Sequence, residues 1–119
     1  MNHIELGKAG EALAADLLRK KHHQIIATNF RYRRGEIDII SISDNKLIAT
    51  EVKTRETAQF GSPYTAVSRS KQRQIISVMN AFIDQSQRTE EIQFDVISVV
   101  LGRSKTEIEH IENAFYPLI

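Results

Sequence analysis

The chain has 119 residues, 41% hydrophobic and 26% charged, with 16 Lys+Arg against 15 Asp+Glu and no cysteine. At this size folding removes roughly two thirds of the unfolded surface from water, so a core forms without disulfides, and a chain without Cys cannot build thiolate zinc sites, iron–sulfur clusters or thiol catalysis. No signal-peptide pattern and no apolar run of about 18 residues is present, so a soluble, cytoplasmic protein without a membrane partner is expected, and metal chemistry would have to rest on Asp and Glu.

Residues 5–22 place Leu6, Gly10, Leu13, Ala14, Leu17 and Leu18 at helical spacing, which predicts an amphipathic first helix. His22 and His23 follow at its C-terminal end, where an imidazolium would suit the helix dipole better than a metal. Residues 24–30 (QIIATNF) read as a strand, and Arg31-Tyr32-Arg33-Arg34-Gly35 as a basic turn able to extend it. Residues 36–43 and 46–54, rich in Ile and Val, read as two strands joined by a tight turn at Asp44-Asn45. Residues 55–67 carry Gly61 and Pro63 without periodicity and read as a loop. Ser68 is a suitable N-cap for a second helix reaching about residue 85, with Ile75, Ile76, Met79, Phe82 and Ile83 as its apolar stripe. A strand over 92–101, alternating Phe94, Val96 and Ser98 against Asp95, Ile97 and Val99, and a last strand over 106–111 complete the order αβββαββ. The expectation is one α/β domain over residues 1–119 with a mixed sheet.

The net charge of +1 conceals an asymmetry. Residues 1–83 sum to +5 and residues 84–119 to −4, and the stretch from Arg19 to Arg34 holds six Lys/Arg, two His and no acid. Such a local basic field suits a polyanion, although an ordinary solvated face would have the same composition.

The hairpin carries the chemistry. If Asp44 and Asn45 form an even-length turn, cross-strand partners have positions adding to 89, so that Asp38 faces Glu51 and Glu36 faces Lys53. Alternation then puts Glu36, Asp38, Ile40 and Ile42 on one face with Leu47, Ala49, Glu51 and Lys53. Opposed carboxylates destabilise a sheet unless compensated. Compensation by Lys53 would make an ion network; compensation by a hard divalent cation would make a magnesium site. A lysine beside metal-held carboxylates can hold and deprotonate water or neutralise charge developing on phosphorus, which is phosphodiester hydrolysis.

Asp38, then twelve residues, then Glu51-Val52-Lys53 resembles the D…ExK signature of the PD-(D/E)xK nuclease superfamily, with Ile37 where that motif has Pro. A longer string is more specific: Gly7-Lys8-Ala9-Gly10-Glu11-Ala12, Asn29 to Ile40, Glu51 to Arg55, Phe60-Gly61-Ser62-Pro63 and Lys71-Gln72-Arg73. It resembles the YraN-like family of small, endonuclease-like bacterial proteins over nearly the whole chain. The resemblance implies a restriction-endonuclease-like αβββαβ core with a central mixed sheet flanked by helices, as in resolvase and tRNA-endonuclease domains. It also implies a Mg2+- or Mn2+-dependent endonuclease acting on structured or branched DNA, with Asp38, Glu51 and Lys53 at the catalytic positions. Glu11 would join Asp38 and Glu51 at the metal.

Outside that core, Glu36 could support Lys53 or simply close a strand-end salt bridge. Arg31, Arg33 and Arg34, interleaved with Tyr32 just before the strand carrying Asp38, suit nucleic-acid backbone contact, as do Arg55, Lys71 and Arg73. No base-reading helix, P-loop, dinucleotide fingerprint or Ser/His/Asp arrangement is apparent. A non-catalytic nucleic-acid-binding module with the same fold and a protein-interaction subunit are the alternative readings. Pairing of related resolvases around two strands makes a homodimer compatible with the first.

Overall fold

Asn2 starts the first helix, α1 (His3–Lys20), by a capping box: its Oδ1 accepts the Glu5 amide at 2.8 Å, and its own amide donates to the Glu5 carboxylate. His22, at φ 68°, turns the chain out of the helix. In the computed structural model, which describes residues 1–56 and 67–116, five strands and one more helix follow. Most of the loop expected at 55–67, with the Phe60–Pro63 string, lies outside the described residues.

Strands β1 (Gln24–Tyr32), β2 (Gly35–Ser43) and β3 (Lys46–Arg55) form an antiparallel meander. Its second turn has Asp44 at φ 49° and Asn45 at φ 61°, the doubly left-handed turn that matches strand twist and that Asn and Asp tolerate. The even-length register therefore holds, and positions adding to 89 pair from Ser43–Lys46 to Ile39–Thr50. Ser68 caps α2 (Arg69–Ser86) by accepting the Lys71 amide at 3.1 Å. The helix carries the chain across the sheet so that β4 (Glu91–Leu101) runs parallel to β3, and β5 (Thr106–Phe115) closes the far edge antiparallel. The strand order is β1-β2-β3-β4-β5, a mixed sheet compatible with the αβββαβ core.

Each helix covers one face. Ala14, Ala15 and Leu18 of α1 pack with Ile39, Val52, Ile97 and Val99. Ile75, Val78 and Met79 of α2 pack with Ile37, Ile40, Ala49, Phe94 and Val96. The alternation expected of residues 94–99 is thus realised, with one set of side chains beneath each helix. Gly10 lets α1 touch the sheet, since a Cβ there would collide with Thr54. No helix among the described residues is long and apolar enough to cross a membrane.

Candidate active site

Regular alternation would place Ile37 and Ile39 on one face, yet Ile37 packs beneath α2 and Ile39 beneath α1. The strand changes face at Asp38. The β2–β3 pairing runs only as far as Ile39–Thr50, whereas β3 stays beside β4 out to Arg55–Val100. Beyond the last β2–β3 pair, the Val52 amide donates to Asp38 Oδ2 at 2.8 Å. A side chain has replaced the neighbouring strand as acceptor, and the sheet forks between β2 and β3 with the two acids in the fork.

Asp38 and Glu51 share a hydrogen bond. Burial first, and the Asp38 charge second, push the Glu51 carboxyl up to about 8. Burial also raises Asp38, against the lowering effects of the Val52 amide and the Glu51 hydrogen bond. Glu51 therefore keeps a proton at neutral pH. Its Oε2 is fully buried and has no hydrogen-bond partner among the described residues.

Two lysines act on the pair. Lys71, half-buried in the first turn of α2, favours the charged form of both acids, and at Glu51 its influence exceeds that of Lys53. Lys53 is half-buried on β3, two residues beyond Glu51.

The third acid comes from α1. Because Gly10 brings the helix onto Thr54, the next residue, Glu11, overhangs the fork. Its Oε1 accepts from Asn29 Nδ2 at 2.8 Å, and the same amide nitrogen reaches Glu36 Oε1 at 3.1 Å. Burial raises the Glu11 pKa, and the Asp38 and Glu36 charges raise it further, against the Asn29 hydrogen bond. Asn29 is thus a clamp between α1 and β2 that appears in the sequence only within the family string. Its signal is an Asn inside a strand pattern: the residue adopts φ 49°, which Asn tolerates better than most.

Glu36 departs from expectation. It does not face Lys53; it pairs across β1 with Arg31, Nε to Oε2 at 3.0 Å, and lies on the α1 side with Asn29. The face change at Asp38 removes it from the set shared with Ile40 and Ile42. Of the basic residues, Arg31 is exposed but engaged by Glu36, and Arg33 is exposed and lies over the Tyr32 ring at 5.2 Å. Arg34 is exposed, and its carbonyl accepts Gln74 Nε2 at 3.3 Å. Arg55 borders a cavity of about 300 Å³ together with Glu11 and Lys53, and Arg73 is exposed on α2.

A different set of residues could also hold a metal. Among the described residues, only Asp95, His110 and Glu112 bring three His or acid ligand atoms within 4.8 Å of one another. Asp95 is fully buried and receives Gln93 Nε2 at 2.9 Å, the Asn113 amide at 3.1 Å and His110 Nε2 at 2.8 Å. Lys21 Nζ lies 2.8 Å from His110 Nδ1, so a cation already occupies the outer side of that ring. Beside it, His23 is buried against Ser41 Oγ at 2.8 Å, and burial followed by the His110 charge lowers its pKa. His23 is therefore a neutral core imidazole and not the dipole-facing imidazolium expected from its position.

Residues 10–99, which include Glu11, Asp38, Glu51, Lys53 and Lys71, match the model of Uncharacterised protein family UPF0102. The chain belongs to the UPF0102 family. It is 41% identical over 114 residues to the UPF0102 protein of Christiangramia forsetii, with 96% of each chain covered. The UPF0102 protein of Syntrophomonas wolfei is 41% identical over 112 residues, covering 93% of this chain and 97% of that one. That of Thermodesulfovibrio yellowstonii is 40% identical over 116 residues, covering 98% and 100%. Membership in UPF0102, a family found here in several bacteria, agrees with the YraN-like resemblance at the level of the family.

Proposed function

We propose that this UPF0102 protein is a divalent-metal-dependent endonuclease that hydrolyses phosphodiester bonds in structured DNA, with Asp38, Glu51 and Glu11 as ligands for Mg2+ or Mn2+. The observation that carries the reading is the buried, partnerless Glu51 Oε2 beside Asp38. An unsatisfied buried acceptor costs about 1–3 kcal/mol, and two carboxylates sharing one proton in a sheet interior store further repulsion. Asp38 and Glu51 in the fork suit a hard cation that retains several waters, and Glu11, whose carboxylate does not converge with theirs within 4.8 Å, would join it by moving closer or through a water.

Such a cation, when bound, supplies Lewis acidity at a phosphoryl oxygen and lowers the pKa of water. To hold it, Glu51 would have to give up its proton, while the Val52 amide keeps Asp38 in place. Lys53 and Lys71 bring positive charge to the fork and neutralise the charge that grows on the non-bridging oxygens. A water oxygen forms the new bond to phosphorus as the bond to the leaving sugar oxygen breaks; the water proton passes to solvent or to a basic side chain at the fork, and the leaving oxygen takes a proton from solvent. The exposed arginines of the β1–β2 turn, Arg33 and Arg34, track the backbone nearby.

The test is incubation with junction, flap and single-stranded DNA in Mg2+ or Mn2+, alongside Lys53→Ala and Asp38→Asn. Metal-dependent cleavage lost in both variants is expected. Equal cleavage by the variants, or none by the wild type on any substrate, would overturn the catalytic reading. Salt-sensitive binding that ignores EDTA and Asp38→Asn would instead leave a non-catalytic binding module.

A further inference from the structure

Two glycines sit one helical turn apart on α1, and only one has a packing reason. Gly10 is required by Thr54, whereas a Cβ built on Gly7 meets nothing within 4 Å. A glycine inside a helix is less favourable than alanine, so Gly7 weakens α1 without improving its packing. Gly7 borders open space: the cavity of about 300 Å³ between the start of α1 and the end of β3, which contains Glu11 and Lys53 of the acid fork. That cavity shares His3, Leu6, Thr54 and Arg55 with a second one of about 470 Å³ further from the fork, where Met1 also contributes. The two together make one groove leading away from the scissile position. Its lining changes along its length: Glu11 and Lys53 belong to the fork end, Met1, Asn2 and Glu56 to the outer end, and Leu6 and Arg55 line both. At the α1 N-terminus the Asn2–Glu5 capping box already uses the Asn2 and Glu5 amides.

We propose that this groove binds one unpaired nucleotide of the substrate strand, next to the bond that is cut, with Gly7 as the bare floor that lets it in. The proposal rests on the nuclease reading for its occupant. The phosphate lies towards Lys53 at the fork end, and the base lies towards Met1 at the outer end. The chemistry required is that of a nucleotide, an anion joined to a flat apolar ring, and the combined space is of the size small-ligand pockets have.

Gly7→Ala and Gly7→Leu separate this role from a structural one. Both replace a helix-weakening residue at a position with room for a side chain, so both raise Tm, Gly7→Ala by about 2–4 °C. Binding is read by fluorescence anisotropy with short single-stranded DNA and RNA of one sequence, in EDTA so that cleavage plays no part. The expected result is at least a tenfold loss of affinity in the stabilised Gly7→Leu protein, on whichever strand binds, and a smaller loss with Gly7→Ala. Unchanged affinity in Gly7→Leu would overturn the proposal even if the wild type cleaves DNA. Affinity lost in Gly7→Leu without cleavage by the wild type would sustain the groove and remove the nuclease. Absence of oligonucleotide binding by the wild type overturns the groove as well.

Discussion

Glu51 on β3 and Asp95 on β4 are both buried carboxylates, placed on adjacent parallel strands, and they have opposite surroundings. Asp95 has three donors on its two oxygens, from Gln93, the Asn113 amide and His110. Glu51 has another acid for a neighbour and one oxygen without a partner. Burial alone therefore says little about a carboxylate's role. A fully donated acid holds elements together, here β4, β5 and the His110 ring, whereas an acid with one oxygen left without a donor is what the proposed ligand role requires.

The contrast sharpens under mutation. Asp95→Ala should be the most damaging change, about 3 kcal/mol or more, since it strips a backbone amide, an amide side chain and an imidazole of their buried acceptor at once. Urea unfolding measures it, and a loss below about 1 kcal/mol would show that the network is not holding the fold.

Next comes pH in chelated buffer. The Glu51 carboxyl titrates near 8 in the fold against an ordinary 4.5. Between those values the folded chain keeps a proton that the unfolded chain has lost, so stability is full below about 4.5 and declines as pH rises towards 8. The decline should amount to a few kcal/mol and be clearly smaller in Glu51→Gln, where only the raised Asp38 and Glu11 carboxyls still contribute. A wild-type profile parallel to that of the variant would break the assignment of the proton.

Gly10→Ala is expected to cost about 1–3 kcal/mol through collision with Thr54 and to disturb Glu11, in contrast to the stabilising change one turn earlier at Gly7. Glu51→Gln itself should stabilise the metal-free protein by about 1 kcal/mol at pH 8, because the amide carries no charge to bury and can donate to Asp38. Arg31→Ala should be the mildest, within about 0.5 kcal/mol, as the ion pair with Glu36 is largely exposed on the arginine side.

The element order, the Asp44-Asn45 turn and its register were legible because each follows from local chemistry: helical spacing of Leu and Ala, a capping Ser68, and two residues that accept left-handed backbone. Lys71 was legible as a basic residue suited to nucleic-acid backbone contact, and its effect on both acids of the fork depends on where α2 crosses the sheet. What alternation could not supply was its own failure at Asp38, which comes from β3 parting from β2 while remaining with β4. From that fork follow the loss of the Glu36–Lys53 pairing and the capture of the Val52 amide. Asn29 was equally out of reach, because its role depends on α1 passing over β1. The buried state of His23 depends on Ser41 and on β5, which no property of the Lys-Lys-His-His run discloses.

The central proposal, that Glu51, whose Oε2 has no partner among the described residues, binds a divalent cation in the fork, is tested most directly by titrating Mn2+ at pH 7.5 into wild type and Glu51→Gln while following Tm. Saturable stabilisation of the wild type, with the midpoint moved at least tenfold higher or lost in the variant, is the predicted result. A wild-type Tm indifferent to Mn2+, or an identical response from Glu51→Gln, would contradict it.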